Sequence, residues 1–287
     1  MKFRTEIVVP PSDFKISHDC KIAMQGSCFA ENMASKFLNA GFSIDLNPFG
    51  IAYNPLSLSQ NLNRLLDDEP YQAVELFEDN GVYHSFSHHS RFSGSDPDAV
   101  LSKINSRREQ SFDFIGTANL LVITFGTAFV YRLQSSGSVV SNCHKLPAKL
   151  FTYKRLTIEM IVREWNDLIV RLQTFNPALR ILFTVSPVRH LKDGAHENQL
   201  SKAILLLSVE ELLANHSHCF YFPAYEILSD DLRDYRFYTD DLLHPSSQAI
   251  DYVWEKFTEA WFDKETLKRA QAFEKANQAL NHIPIIR

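Results

Sequence analysis

The stretch KIAMQGSCFAEN, residues 21–32, determines which class of fold the chain adopts. Its first five residues are a short, mostly apolar run, which predicts a buried strand. Gly26 then permits a tight turn with unusual backbone angles. Residues 30–40 have helical spacing that stops at Gly41, a favourable residue for a helix end. A buried strand that is followed directly by a helix is typical of a parallel α/β sheet.

The same alternation continues toward the C-terminus. Apolar runs predict further strands over residues 42–46, 120–125, 180–185 and 219–222. Amphipathic stretches predict helices over residues 56–66, 98–112, 156–175, 197–216 and 246–273. Strands and helices in this order predict a three-layer α/β/α sandwich around a central, mostly parallel sheet.

Two segments depart from this alternation, and both read as β-hairpin insertions. Residues 70–95 contain a DNG turn between alternating residues, followed by a polar, irregular stretch. A second hairpin is predicted from residues 128–134 and 138–144. We therefore expect one domain over residues 1–287, with an insertion around residues 70–95 and a helical C-terminal tail from about residue 264.

Composition and charge exclude several classes of partner. The 287 residues are 45% hydrophobic and 22% charged, and the formal net charge of −5 comes without a basic block. A nucleic-acid partner is therefore not expected. No apolar window approaches the roughly 18 residues of a membrane span, and charged residues and prolines interrupt the N-terminal stretch. We expect a cytoplasmic protein without a membrane partner; the oligomeric state is left open.

The residues directly after the first strand suggest a nucleophile. Ser27 is predicted to lie at the start of a helix, where free backbone N–H groups can stabilise an oxyanion. The structural alternative is that Ser27 only caps the helix. Cys28 is a competing nucleophile, since a helix N-terminus activates a thiolate. Because a residue one position past the turn usually points toward the sheet, a buried structural cysteine is the preferred interpretation of Cys28.

A second motif lies near the C-terminus, at DLLHP, residues 241–245. One turn of chain can bring the Asp241 carboxylate to the His244 imidazole, fix its tautomer and stabilise the imidazolium. The structural alternative is a surface loop before a helix. Asp240 is a second carboxylate with a less suitable spacing.

Taken together, the two motifs resemble the SGNH hydrolases and, more closely, the GSCFA family, which is named after the five residues 26–30. Further similar segments are NPFGIAYNP, TFGTAFVY, NCHKLP, TVSPVRHLKDG, YFPAYEI and LRDYRFYTDDLLHPS. The resemblance implies an SGNH-hydrolase or flavodoxin-like fold. It also implies that Ser27 is the nucleophile, His244 the base and Asp241 the residue that orients it.

The same resemblance implies an oxyanion site and exposes one departure from it. The backbone N–H groups of Ser27 and Gly50 would hold the oxyanion. The glycine that ends the third strand is Gly126, and two residues later the SGNH asparagine is replaced by Ala128. Losing one such donor typically costs about 2.7–4 kcal/mol of transition-state stabilisation. The substitutes that we consider are Thr127, Asn142 and His144.

Other candidate binding residues carry weaker signals. Arg189 follows a predicted strand and would grip an anionic group on the substrate, or else form an ion pair with Asp193 or Asp241. The loose cluster of His84, His88 and His89 lacks the regular spacing of a metal site. Cys143 and His144 are adjacent in a predicted strand and would point to opposite faces. No metal or other cofactor is expected.

The function that these motifs predict is a serine-dependent ester hydrolase. Its substrate would be a small-molecule or carbohydrate ester, with O-acetyl groups suggested by family analogy only. An acyltransferase that moves the acyl group to a sugar hydroxyl is the first alternative, because the insertion around residues 70–95 could exclude water. A catalytically inactive protein that binds a glycan or metabolite is the second, motivated by Ala128.

Overall fold

The computed structural model of the chain describes residues 4–281. Its strands, in chain order, are β1 (Lys21–Gly26), β2 (Ser43–Leu46), β3 (Leu76–Asp79), β4 (Val82–Ser85), β5 (Leu120–Phe125), β6 (Phe129–Leu133), β7 (Val139–Val140), β8 (Phe151–Arg155), β9 (Arg180–Val185) and β10 (Cys219–Tyr221). The main helices are α1 (Cys28–Asn39), α2 (Pro55–Leu66), α3 (Pro97–Thr117), α4 (Ile158–Phe175), α5 (Ala195–Asn215), α6 (Ser247–Trp261) and α7 (Lys264–Asn281).

Five strands form the central sheet in the order β10-β9-β5-β1-β2, and every neighbouring pair is parallel. The predicted fold class is therefore confirmed. β1 lies between β2 and β5, so the chain leaves β1 at the point where the strand order changes direction. Because ligands in open α/β sheets bind at such a switch point, the residues that follow β1 are the first place to look for a site.

Strand alternation divides the apolar residues between two cores. On one face, Ile123 and Phe125 of β5 pack in a cluster with Trp165 of α4 and with residues of α2, α3 and α5. On the other face, Ile22 of β1 packs in a cluster with Phe37 of α1 and with residues of α6 and α7. Neighbouring strand residues face opposite sides, so β1, β5, β9 and β10 contribute to both cores, whereas β2 contributes Ile44 and Leu46 to the second core. This arrangement accounts for strands that are apolar along their whole length.

The helix ends lie close to the predicted ones, with three differences. α3 was predicted over residues 98–112 and continues five residues further, to Thr117. α1 begins at Cys28, two residues earlier than predicted, because the side chain of Ser27 caps it. The single C-terminal helix that we predicted over residues 246–273 is two helices, α6 and α7. Phe262 forms a bridge with Ile16 between them, and the Asp263 carboxylate accepts a hydrogen bond from the N–H of Thr266. The predicted tail corresponds to α7, and residues 282–287 lie outside the described residues.

Both predicted hairpins are present. β3 and β4 are antiparallel within the insertion around residues 70–95, and β6 and β7 are antiparallel after β5. The sequence left β8 unassigned; it pairs with β6 over residues 151–155, which makes the second hairpin a three-stranded sheet. Among residues 4–281, no helix is sufficiently long and apolar to cross a bilayer.

The insertion is anchored by a buried histidine. His88 is 1% exposed, its Nδ1 lies 2.9 Å from the Ser85 hydroxyl, and its ring packs against Phe49, Tyr71 and Phe92. Burial among these rings lowers the pKa of His88 to about 3. The neutral imidazole is therefore the form that the folded protein holds.

We expect stability to fall as the solution is acidified, partly because of His88. The unfolded chain takes up a proton near the ordinary histidine pKa of about 6.5, whereas folded His88 stays neutral until about pH 3. The free energy of unfolding should therefore decrease by up to about 1.4 kcal/mol per pH unit between these limits. Urea denaturation of the wild-type protein and of His88→Phe, at several pH values, measures this slope.

The variant His88→Phe should show a weaker pH dependence than the wild-type protein. The control is His196→Gln, which changes an exposed histidine and should keep the wild-type slope. Equal slopes in His88→Phe and the wild type would contradict the assignment.

Candidate active site

The loops at the carboxyl ends of the central strands enclose a cavity of about 680 Å³. Each loop contributes a side chain to its lining: Cys28 after β1, Tyr53 after β2, Thr127 after β5 and His190 after β9. His244 of the DLLHP segment completes the set. Chemistry-bearing residues from distant parts of the chain therefore meet at the predicted edge of the sheet.

Asp241 and His244 form the pair that their spacing predicts. Oδ2 of Asp241 lies 2.6 Å from Nδ1 of His244, and both side chains are nearly half exposed. Oδ1 of Asp241 accepts hydrogen bonds from the N–H groups of Leu243 and His244, at 2.9 and 3.0 Å. The hydroxyl of Thr239 donates to the same oxygen at 2.7 Å.

These hydrogen bonds decide the charge and the tautomer of the pair. The N–H groups of His244 and Leu243, more than the imidazole, hold the pKa of Asp241 well below its usual range. The carboxylate is thus ionised at neutral pH and accepts the hydrogen bond of His244 Nδ1–H. The other nitrogen, Nε2, is then the basic atom of the ring. Leu242 takes a φ of 59° at the centre of this turn, which curls the carboxylate around the histidine.

Ser27 is buried and does not line the cavity that contains His244. It is 0% exposed, and its hydroxyl accepts a hydrogen bond from the N–H of Phe29 at 3.3 Å, as an N-cap of α1. The predicted nucleophile therefore has the helix-capping role that was its structural alternative, and its hydroxyl is not within reach of solvent.

The turn at Gly26 explains the orientation of Ser27. Gly26 has a φ of 154°, and a Cβ atom there would lie 2.6 Å from both Cβ and the carbonyl oxygen of Thr124 on β5. Only glycine allows β1 to approach β5 this closely. The N–H of Gly26 also donates to Oδ1 of Asn47 at 2.9 Å. The fixed turn directs Ser27 into the protein and Cys28 toward the cavity.

Two thiols, those of Cys28 and Cys143, line the cavity together with His244, and Cys28 lies at the start of α1. Cys28 is half-buried: it packs against the core that contains Phe37, as expected of a structural cysteine, and it also lines the cavity. Burial raises the pKa of the Cys28 thiol, while the N–H groups of Phe29 and of Cys28 itself, and the charge of Lys202, act in the opposite direction. The thiol therefore needs a base to react at neutral pH.

Gly50, the predicted oxyanion donor, and Gly126, a further candidate for oxyanion or substrate binding, both use their N–H groups elsewhere. The N–H of Gly50 donates to the carbonyl of Asn47 at 2.8 Å and closes a turn, and Gly50 packs against His89. The N–H of Gly126 donates to the carbonyl of Tyr53 at 2.7 Å. Neither N–H is available to an oxyanion, so both assignments are corrected. The glycine at position 50 is required by its φ of 87° and by the contact with His89.

Other N–H groups are available in the cavity wall. Cys28 is the first residue of α1, and Ile51 follows the turn after β2. In the part of the chain that the structure describes, neither backbone N–H donates a hydrogen bond to another protein group. The start of a helix is a favourable place for a negative charge. These two N–H groups are thus candidate oxyanion donors.

The structure distinguishes among the three candidate substitutes for the asparagine that Ala128 replaces. Thr127 and Asn142 line the cavity, but the Thr127 hydroxyl already lies 3.1 Å from the hydroxyl of Ser201. His144 does not line the cavity, since its Nε2 lies 2.9 Å from the carbonyl of Ser85 in the insertion. His144 is therefore removed from the candidates, and Asn142 has the more available donor.

One wall of the cavity is aromatic. Phe129 and Tyr131 of β6 and Tyr153 of β8 form this aromatic wall, with ring centroids of Tyr153 4.9 Å from Phe129 and 4.4 Å from Tyr131. The ammonium group of Lys192 lies 4.5 Å from the Tyr153 ring centroid. A flat, partly apolar group of a substrate would pack well on this surface.

Arg189 lies at the rim of the cavity with its guanidinium free of carboxylates. It is exposed, and its guanidinium lies over the ring of Tyr238, 5.9 Å from the ring centroid. Neither predicted partner is bound to it, because Asp193 accepts the hydroxyl of Tyr153 and Asp241 holds His244. Within residues 4–281 the guanidinium forms no ion pair, which leaves its N–H donors to a ligand.

Three buried polar residues of α5 bind the backbone of the loops that form the cavity, and none of them belongs to a motif identified in the sequence. Asn198, Ser201 and Lys202 are 4%, 3% and 1% exposed. Asn198 accepts the N–H of His190, and Ser201 accepts the N–H of Ala128. We call these three residues the polar seam of α5. Their spacing was a usable signal, because they continue the apolar stripe that later carries leucine and valine.

His190 is a second residue that the sequence analysis passed over. Its Nε2 is buried without a hydrogen-bond partner, and its ring lies 5.6 Å from that of Tyr53. Burial, then the charges of Lys202 and His244, lower the pKa of His190 to about 4. The cavity lining therefore contains, besides His244, the imidazole of His190, which is uncharged at neutral pH.

Comparisons with known proteins identify one family. The GSCFA family matches residues 21–257 of the chain. No curated protein matches the sequence. Among solved structures, a family 3 carbohydrate esterase from Clostridium thermocellum is similar, with 10% sequence identity and a TM-score of 0.39. The match covers 89% of this chain and 98% of the esterase chain.

Two further solved structures resemble the chain to the same degree. A family two carbohydrate esterase from Clostridium thermocellum in complex with cellohexaose has 13% sequence identity and a TM-score of 0.41. The match covers 85% of this chain and 64% of the esterase chain. An acetyl xylan esterase from the rumen bacterium Butyrivibrio proteoclasticus has 9% sequence identity and a TM-score of 0.40. The match covers 85% of this chain and 64% of the esterase chain.

The capping role of Ser27 gives a prediction that separates it from a nucleophile. Ser27→Ala removes the acceptor of the Phe29 N–H and should lower the free energy of unfolding by about 1 kcal/mol, as measured by urea denaturation. The reactivity of Cys28 toward iodoacetamide should stay within about twofold of the wild-type rate, because the backbone turn is fixed by Gly26. A variant with unchanged stability but no acyl-transfer activity would instead identify Ser27 as the nucleophile.

Proposed function

This chain belongs to the GSCFA family, and we propose that it hydrolyses an acyl ester through a thiol nucleophile, Cys28. One observation carries the proposal: the Cys28 side chain lines the same cavity as His244, whose other ring nitrogen is held by Asp241. A nucleophile, a base and a group that orients the base form the recurring arrangement of acyl-transfer sites.

The first chemical step forms a thioester. Nε2 of His244 takes the proton from Sγ of Cys28, and the sulfur attacks the carbonyl carbon of the ester. The carbonyl oxygen becomes negative and lies near the N–H groups of Cys28 and Ile51, with the Asn142 amide as a further donor. The intermediate collapses when the C–O bond breaks, and the leaving alkoxide takes the proton from His244.

The second step returns the thiol. His244, neutral again, removes a proton from a water molecule, which attacks the thioester carbonyl. The C–S bond breaks, the carboxylic acid leaves, and Cys28 takes up a proton. A sugar hydroxyl in place of water would make the protein an acyltransferase. Acceptor sugars added to the assay discriminate the two outcomes, because transfer converts them to esters whereas hydrolysis leaves them unchanged.

The cavity lining favours an ester of a carbohydrate with an anionic group. The aromatic wall presents flat rings on which the apolar face of a sugar can pack. Arg189 adds a guanidinium with unoccupied donors that suit a carboxylate or phosphate. Lys192 adds a second cation to the lining, which also contains the Asp193 carboxylate.

A reactive thiol must remain reduced to act. The four cysteines are free, and thiols persist in reducing compartments. The proposal therefore includes a cytoplasmic location.

Replacing the nucleophile tests the mechanism directly. Cys28→Ala should reduce the hydrolysis of p-nitrophenyl acetate by about a thousandfold or more, because it removes the atom that forms the acyl intermediate. Brief reaction of the wild-type protein followed by acid quenching should trap an acetyl adduct. Peptide mass spectrometry should locate that adduct on Cys28 and not on Cys143, the other thiol of the cavity.

A matched variant distinguishes sulfur from oxygen at this position. Cys28→Ser keeps a nucleophilic atom in the same place and should react with a fluorophosphonate probe, whereas the wild-type protein should react with iodoacetamide. If wild-type Ser27 captured the fluorophosphonate, the serine mechanism would replace this one. If no residue formed an adduct while the protein bound a glycan, it would be a binding protein.

The role of Arg189 predicts selectivity between substrates. Arg189→Leu should lower kcat/KM by about tenfold or more for an acetylated sugar acid, because a charge-assisted hydrogen bond contributes about 1.5–3 kcal/mol, and should leave a neutral acetylated sugar within about twofold. Arg163→Leu, at an exposed site on α4, is the control. Equal losses for both substrates would show that Arg189 does not recognise charge.

A further inference from the structure

A second, smaller hollow lies beside the active-site cavity. Its volume is about 200 Å³, and it shares Arg189 with the cavity. Leu242 lines the smaller hollow, whereas the next two residues, Leu243 and His244, line the cavity. Arg189 and the DLLHP turn therefore form the boundary between the two spaces, and a ligand that spans this boundary can occupy both. We call the smaller space the outer hollow.

Two large and well-exposed side chains line the outer hollow. Tyr235 is 71% exposed and Leu242 is 53% exposed. The ring centroid of Tyr235 lies 6.1 Å from that of Tyr238, over which the Arg189 guanidinium lies. A tyrosine ring has an apolar face and a polar hydroxyl at its edge. A sugar ring, with apolar C–H faces and hydroxyls around its rim, is complementary to such a surface.

Leu242 has a backbone conformation that its side chain makes costly. Its φ of 59° lies in the left-handed region, where a bulky side chain is an outlier. Glycine would form the same turn between Asp241 and His244 without this cost. The leucine side chain is more than half exposed, so packing in the core does not offset the strain. A contact between this side chain and a ligand would explain a leucine at this position.

The charged groups of the outer hollow are paired with their neighbours, apart from Arg189. Arg233 donates to Asp230 at 2.8 Å, and Asp234 accepts from Arg236 at 2.9 Å. Exposed pairs of this kind contribute little to stability, and their outer N–H groups and oxygens can still bind hydroxyl groups. The lining therefore suits a polyhydroxylated ligand, with one anionic group at Arg189 at most.

Backbone contacts hold the outer hollow in register with the catalytic base. Tyr238 and Pro245 form an antiparallel bridge, and the N–H of Thr239 donates to the carbonyl of His244 at 2.8 Å. The segment that carries the two tyrosines and the turn that carries the base are therefore tied together. A group bound at Tyr235 consequently has a defined position relative to His244.

We propose that the outer hollow binds the sugar unit next to the acylated one, so that the substrate is an acylated oligosaccharide; this inference rests on the esterase function proposed above. The acylated unit lies in the cavity against the aromatic wall, and the chain of sugars passes Arg189. The next unit packs its apolar face on Tyr235 and against Leu242. No bond forms or breaks in the outer hollow. Its contacts orient the ester at Cys28.

The dependence of hydrolysis on substrate length tests the proposal. Mono-O-acetylated glucose is compared with mono-O-acetylated cellobiose, maltose and gentiobiose, which differ in the linkage between the two units. At least one disaccharide ester should have a kcat/KM about tenfold higher than that of the glucose ester, because it adds a packing contact and a hydrogen bond. Equal kcat/KM values for all four esters overturn the proposal.

Variants of the outer hollow locate the origin of this gain. Tyr235→Ala should bring the preferred disaccharide ester to within about twofold of the glucose ester, whereas Tyr235→Phe keeps the ring and should retain most of the gain. Leu242→Gly allows the same turn and should also reduce the gain. The control is Leu207→Ala, which removes a 55% exposed leucine of α5 and should keep the full gain. A full gain in Tyr235→Ala, or an equal loss in Leu207→Ala, contradicts the assignment.

Binding of the unacetylated sugars separates this inference from the esterase function. Cellobiose, maltose, gentiobiose and glucose are titrated into the wild-type protein and into Tyr235→Ala, and the backbone N–H resonances of Tyr238 and Leu242 are followed by NMR. A disaccharide should shift these resonances in the wild-type protein and not in Tyr235→Ala. Such binding without esterase activity supports the outer hollow and rejects the proposed function. Ester hydrolysis with neither length dependence nor such binding supports the function and overturns the inference.

Discussion

The close approach of β1 and β5 at Gly26 controls the whole site. A Cβ atom at this position would lie 2.6 Å from the backbone oxygen of Thr124, so the chain can leave β1 in one direction only. That direction turns Ser27 inward as the cap of α1 and leaves Cys28 at the cavity. The close contact between β1 and β5 at Gly26 thus decides that Cys28, and not Ser27, lines the cavity.

The same sheet edge is held from below by α5. The polar seam binds the backbone of the loops after β5 and β9 through side chains that have no access to water. Buried polar groups that are satisfied in this way fix loop positions more firmly than apolar packing, because each hydrogen bond has a defined direction. The seam accounts for the position of His190 and of the chain after Gly126, which no local sequence rule would place.

Much of the fold follows from local sequence, whereas the site depends on longer-range geometry. Apolar runs and cap residues predict each strand of the central sheet, because strand burial and helix ends leave local patterns. The Asp241–His244 pair was also predictable, since its members are only three positions apart in the sequence. The choice between Ser27 and Cys28 was not, because it depends on the φ of Gly26 and on Thr124, nearly a hundred residues away. Strand β8 was not predicted for a similar reason, because its partner β6 lies at a distance along the chain.

The replacement of the SGNH asparagine by Ala128 and the presence of a thiol are physically compatible. An oxyanion hole with one donor fewer stabilises the tetrahedral intermediate less, by about 2.7–4 kcal/mol. A thiol, however, ionises near a pKa of about 8.5 and is a strong nucleophile even when weakly ionised. Less stabilisation is then needed to reach the first intermediate than with a serine hydroxyl. Ala128 itself is fully buried, and its N–H is bound by Ser201. The two features have separate structural origins: α5 holds the chain at Ala128, whereas the contact of Gly26 with Thr124 orients Ser27 and Cys28.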